Sequence, residues 1–367
     1  MQRFETPTIY FAILSFLLAS CSAVTPVAST NTITPSVTPL STNTATPTFT
    51  PTPNRIGDFA LSPDGSKIAI FANDSIFIYD TSTLEKNLFS DDRGHGNCGG
   101  AVAFNPDGTA IAFTSTYPDN YVYVEDVASR EILWSTYDVP NGHCINEIEF
   151  SPNGRTIFVR STFTAAARCE YTEDSLELYS LDRASTVFFE SRLLQVRWCR
   201  YSIGKIRFLD DGKFYLFLWT ETNSWLYMGD STTDQITEQH EYDISKDGWY
   251  YDISQDGQAL AISPSHGMFE NPMTTLVDPT SRKTLAVVPY YVKLLKGQNQ
   301  FLVHDLTYAW KFWKNGGVSC SYDFIVNENY LKFSADGNFL AVPVSESRVE
   351  IWKVSTCEKV NTISVGE

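Results

Sequence analysis

The chain is 367 residues long, 43% hydrophobic and 14% aromatic, and its 27 basic and 43 acidic side chains give a formal charge of −16. That length holds one large domain or two to three small ones, with apolar residues enough for a sizeable core. A surface this acidic, with no basic stripe, excludes nucleic acid and argues against adhesion to anionic lipid.

In chain order, residues 1–20 come first as a leader. "YFAILSFLLASC" is an apolar stretch too short to span a membrane comfortably as a mature helix. It ends in Leu18-Ala19-Ser20-Cys21, which resembles the lipobox of bacterial lipoproteins: an apolar residue, two small ones, then Cys. The resemblance implies that Cys21 takes a diacylglyceryl thioether and becomes the mature N-terminus. Residues 22–54 are Thr/Pro/Ser-rich with no charged side chain. Such a segment buries no core and is expected to be an extended tether, reaching on the order of 100 Å at ~3.1 Å per residue. The expected organisation is therefore a signal peptide over 1–20, a lipidated Cys and linker over 21–55, and a folded domain over 56–367.

The folded domain announces itself through a recurring turn. "LSPDGSKIAIF" begins at Leu61, and related stretches follow in "VAFNPDGTAIAF", "IEFSPNGRTIFV", "IRFLDDGKFYLF", "YDISQDGQALAI" and "LKFSADGNFLAV". The apolar landmarks Leu61, Phe104, Phe150, Phe208, Ile253 and Phe333 are spaced 43, 46, 58, 45 and 80 residues apart. Spacings near 40–45 suit a four-stranded repeat, and the last interval holds a degenerate copy, "YVKLLKGQNQFLVHD". Asp-Gly between apolar runs marks a tight hairpin, because Gly accepts φ > 0 without a steric penalty. Each of the seven copies reads as strand, turn, strand, variable loop, alternating strand, short turn, strand. The alternating strands include "SIFIYD", "YVYVED" and "RVEIWK".

These copies resemble WD-repeat blades, and also the blades of the Tol-system envelope propeller and of prolyl-oligopeptidase. Gly94-His95 lies nine residues before Phe104, where WD-repeat blades keep Gly-His. Tyr79-Asp80, Glu125-Asp126 and Trp352-Lys353 stand where those blades keep Trp-Asp. The resemblance implies an all-β, seven-bladed β-propeller, with the loops between second and third strands and between blades on one face, the top. It transfers no function, since propellers serve many.

Six cysteines follow Cys21: Cys98, Cys144, Cys169, Cys199, Cys320 and Cys357. An even number in an exported chain suggests disulfides. On the propeller scheme, Cys98 and Cys144 are repeat-equivalent on neighbouring top loops, and Cys169 and Cys199 flank the long third blade. The expected pairs are 98–144, 169–199 and, for two cysteines near the turns before fourth strands, 320–357. His95, Cys98, His143 and Cys144 make a zinc-competent set, but their spacing is no known finger pattern, so loop histidines on a binding face are the preferred reading. No metal and no cofactor is expected.

No Gly-x-Ser-x-Gly is present, and the remaining histidines are scattered over different blades. Asp-Asp pairs fall at turns, where Asp bonds locally. The clearest binding signal is "QVRWCRYSIGK", which packs Arg197, Trp198, Arg200 and Tyr201 around Cys199. Trp, Tyr and Arg dominate binding hot spots, and loops on rigid scaffolds carry function. The expectation is a non-enzymatic scaffold, lipid-anchored outside the cytoplasmic membrane, that binds a protein or envelope polymer through its top face near blades two to four. The competing readings are an enzyme acting on cell-wall or extracellular glycan with carboxylates in the central channel, and a carbohydrate-binding module with an exposed aromatic row.

Overall fold

The computed structural model describes residues 55–365, apart from 74, 91–99, 116–120, 137–142, 165–171, 182–202, 210–212, 220–223, 231–234, 243–249, 255–256, 264–272, 290, 296–299, 305–308, 315 and 325–329. The leader and nearly all of the tether thus lie outside the described residues. What is described is all-β. Blade 1 is β1 (Ile56–Leu61), β2 (Lys67–Ala72), β3 (Ser75–Asp80) and β4 (Lys86–Ser90). Blade 2 is β5 (Val102–Phe104), β6 (Ala110–Thr114), β7 (Val122–Asp126) and β8 (Ile132–Thr136). Blade 3 has β9 (His143–Phe150), β10 (Thr156–Thr164) and β11 (Thr172–Ser180). Blade 4 is β12 (Ile203–Phe208), β13 (Lys213–Trp219), β14 (Ser224–Asp230) and β15 (Gln235–Tyr242). Blade 5 is β16 (Tyr250–Ile253), β17 (Leu260–Ser263), β18 (Met273–Val277) and β19 (Thr284–Pro289). Blade 6 is β20 (Tyr291–Leu294), β21 (Gln300–His304), β22 (Trp310–Lys314) and β23 (Gly317–Ser321). Blade 7 is β24 (Lys332–Phe333), β25 (Phe339–Ser345), β26 (Arg348–Lys353) and β27 (Glu358–Ser364).

Every sheet is an antiparallel meander in chain order, so the seven blades are sequence-consecutive. First strands of neighbouring blades meet: β1 touches β5 and β24, β5 touches β9, and β16 touches β20. They form the inner ring. Second strands are covered on both faces and read as near-continuous apolar runs, as in "KIAIFA" and "AIAFT". Third strands alternate, and fourth strands expose their first residues. The core is a ring of seven apolar clusters, one at each joint between blades. Blade 7 meets blade 1 through one of them, where Ile351 and Val349 pack with Ile68 and Ile70.

The repeated turn has a local and a long-range cause. Ser62 Oγ–H and the Ser66 amide donate to Asp64 Oδ1 (2.7 and 3.0 Å), and the Lys67 amide donates to Ser62 Oγ (2.8 Å). The same arrangement recurs at Asn105/Asp107, Ser151/Asn153 and Ser334/Asp336. The glycines take φ of +70° (Gly65), +75° (Gly108), +69° (Gly154), +65° (Gly257) and +72° (Gly337). Two of them also lie tight against the preceding blade. A Cβ on Gly65 would stand 2.3 Å from Phe339, and one on Gly257 would stand 2.6 Å from Leu209.

Two local placements in blade 3 differ from expectation. His143 and Cys144 lie within β9, paired with Phe163 and Thr162, rather than in a loop. Of the span 162–174, expected as a loop, Thr162–Thr164 and Thr172–Asp174 instead extend β10 and β11, and 165–171 lie outside the described residues. Its β-branched and aromatic residues suit a strand. Cys320 lies in β23, opposite Phe312 and near the turn that precedes it.

Candidate binding face and central channel

Hydrogen bonds sort the connections by face. Thr81, leaving β3, donates its amide to Ser66 O and its hydroxyl to Gly65 O. The turns after first and third strands therefore share the bottom face. The Arg55 amide donates to Asn73 Oδ1, in the connection between β2 and β3, so the chain enters blade 1 at the top.

The third turn is a second recurring motif that the sequence reading passed over. Asp80, Asp126 and Asp278 each accept the amides of the residues two and three further on. The Ser82 hydroxyl and the Thr83 and Ser82 amides hold the Asp80 carboxyl down at about 2. Leu84, Arg130, Arg282 and Cys357 close these turns with φ between +53° and +66°. In two of these turns the residue reaches the fourth strand of the preceding blade. Arg130 donates to Phe89 O (2.7 Å) and Leu88 O (3.1 Å), its guanidinium 3.8 Å from the Phe89 ring centroid. Cys357 does so covalently, through a disulfide to Cys320 with 5.9 Å between Cα atoms. Each contact lands four or five residues beyond the equivalent position of the neighbour, Leu84 in blade 1 and Gly316 in blade 6.

The channel side carries charge. The residues just before the inner-strand landmarks include Glu149, Arg207, Asp252, Lys293 and Lys332. They form ion pairs across joints: Glu149 with Arg207 at 4.0 Å, Asp252 with Lys293 at 3.4 Å, and Lys332 with Asp58 at 3.4 Å. Within blade 3, Arg160 stands 3.6 Å from Glu147. Asp252 also accepts the Leu294 amide (2.7 Å), and Asp58 the Val102 amide (3.1 Å). The Asp252–Lys293 side chains are 0% and 4% exposed. Burial pushes the Asp58 carboxyl above the ordinary carboxylate range, opposed by Lys332 and by backbone amides. Asp58 in turn raises Lys332, with Glu147 and Glu149 adding to the effect against burial. Sequence reasoning missed these residues, although charge just before the landmark, in strands that are otherwise apolar, is a readable signal.

Of the predicted site residues, His95, Arg197, Trp198, Arg200 and Tyr201 lie outside the described residues, as do Cys21, Cys98, Cys169 and Cys199. Cys144 is disulfide-bonded, and its expected partner is among those outside. His143 is placed by its backbone in β9. The 320–357 pair is present. Among the described residues, no three His, Cys, Asp or Glu side chains gather as a metal site. Asp252 is committed to blade 6 through Lys293 and the Leu294 amide. Trp310 (1% exposed) and Phe217, which stacks on Tyr251 with centroids 3.9 Å apart, are core.

No family model matches the chain, and no curated protein matches it. Solved structures do. The chain is 13% identical to U3-55K at a TM-score of 0.53, covering 80% of this chain and 89% of that one. It is 13% identical to the RRP9 WD40 repeats at 0.51, covering 80% and 88%. The β-propeller domain of Cps50 (Swd1) from Myceliophteria thermophila aligns at 16% identity and 0.49, covering 75% and 88%. Identities this low show fold alone. The fold is that of a WD40-like seven-bladed β-propeller.

Proposed function

We propose that the protein is a lipid-anchored, extracytoplasmic, non-enzymatic scaffold that binds a protein or envelope polymer through the top face near blades 2 to 4. The observation that supports this most is the state of the channel. Each described carboxylate in the ion pairs there (Asp58, Glu147, Glu149 and Asp252) stands beside a basic side chain, and two of them also accept backbone amides. Carboxylates held this way tie blades together, which leaves the loops to carry function. Disulfides at Cys320–Cys357 and Cys144 suit an oxidising compartment, as the lipobox-like Leu18–Cys21 does.

One observation favours the enzyme reading. Asp58's carboxyl is raised by burial, the environment a general acid uses. Incubating residues 56–367 with envelope extract separates the two. On the scaffold reading, defined proteins are retained and a Trp198→Ala/Arg200→Ala chain loses them. Release of sugar that stops in an Asp58→Asn chain would instead assign the channel to catalysis.

A further inference from the structure

The clasp between blades is unequal around the ring. Between blades 1 and 2, Arg130 lies across the edge of β4, and the receiving Phe89 is 7% exposed. Between blades 6 and 7, the disulfide from Cys357 lies across β23. Between blades 5 and 6 the equivalent position is Gly316, with φ of +87°, and a Cβ built there would meet nothing within 4 Å. Gly316 therefore sets no side chain over the neighbouring β19. Thr284, Leu285, Ala286 and Val287 are all exposed, Val287 to 53%. Val287, paired with Thr275, and Met273, paired with Pro289, share a face, and the exposed Leu285 is the extra residue of a bulge beside them. Val318, exposed on β23, stands across the joint.

Charge also sets this rim apart in a chain of net charge −16. Lys283 and Arg282 precede β19 and are exposed. Across the joint, exposed Lys314 takes the turn position that Asp80, Asp126 and Asp278 hold elsewhere. The one carboxylate in the blade 5 turn, Asp278, accepts the Thr280 and Ser281 amides.

We propose that the outer edge of β19 is a strand-addition site for an extended segment of a partner protein, one that alternates apolar side chains with carboxylates. The partner backbone pairs with the outward amides and carbonyls of β19. Its apolar side chains cover Leu285, Val287 and Met273, and its carboxylates meet Lys283 and Lys314. A lipid surface offers the negative charge but cannot pair the backbone, and an arginine at position 316 would close the edge as Arg130 closes β4. This site lies on the rim and stands or falls independently of the top-face reading.

The test uses the full-length chain, with two probe peptides, Ac-Glu-Val-Thr-Val-Glu-NH2 and its lysine counterpart, and phosphatidylglycerol vesicles. Amide shifts over Thr284–Val287 are followed by NMR. The expected result is saturable shifts with the acidic peptide, about tenfold weaker in Gly316→Arg, and a reversed preference in Lys283→Glu/Lys314→Glu. Arg130 and Arg282 hold φ of +66° and +59° at the corresponding turn position, so arginine at 316, where φ is +87°, keeps to the left-handed region at a backbone cost. If Gly316→Arg does not fold, the lysine reversal decides alone. Shifts absent from β19, unchanged binding in the variants, or binding of vesicles in place of peptide would each overturn the proposal.

Discussion

Gly65 and Gly154 hold the same turn position at φ of +70° and +69°, yet differ in surroundings. A Cβ on Gly154 would stand 3.5 Å from Pro106, an ordinary contact, whereas on Gly65 it would stand 2.3 Å from Phe339. Gly154→Ala should therefore lose only the backbone term, about 1 kcal/mol. Gly65→Ala adds overpacking, for about 2–4 kcal/mol in all. Urea unfolding of the two variants tests the difference. Asp80 carries a pH prediction. Its folded carboxyl titrates near 2, below the ordinary 3.8, so its contribution is complete above about pH 4 and fades as pH falls toward 2. Asp80→Asn should flatten the acid limb of stability in that window and leave neutral pH behaviour with no such slope. The Asp-Gly turns were legible in sequence because φ > 0 selects Gly. The third-turn position was not, because Leu84, Arg130, Arg282 and Cys357 share a backbone conformation and no side-chain type.

At the scale of elements, seven copies of strand, turn and strand were readable because hairpin chemistry is local. How blades join was less so. The ion pairs unite residues from different repeats, and nothing within one repeat says which neighbour its charge will meet. Lys293→Met would remove the cation beside the fully buried Asp252, and should destabilise by about 3–5 kcal/mol. Removing both partners, in Asp252→Asn/Lys293→Met, should recover part of that loss in a double-variant cycle. The disulfide closes a span of 37 residues between blades 6 and 7. Cys357→Ser should cost about 3–4 kcal/mol, read as a lower thermal midpoint that reductant no longer shifts at this joint. Both ends of the expected loop of blade 3 became ladder, since threonines and Phe163 pair as well as they bend, a choice that periodicity cannot make.

At the scale of the molecule, the ring closes without a strand shared between its ends among the described residues. Blade 1 meets blade 7 through the apolar cluster, the Ile56 amide to Glu346 O (2.7 Å), Asn361 Nδ2 to Thr81 O (2.7 Å), and Asp58 with Lys332. The predicted face residues were chosen by composition, and the segment holding Arg197 to Tyr201 lies outside the described residues, so the site rests on chemistry where the fold rests on geometry. The account's central claim is that the channel is structural and the face binds. Capture from envelope extract should be measured side by side for the unaltered chain, Asp58→Asn and Trp198→Ala/Arg200→Ala, each checked for folding. The account predicts that Asp58→Asn captures the same proteins while the face variant captures none. Capture lost with Asp58 and kept without Trp198 and Arg200 would contradict it.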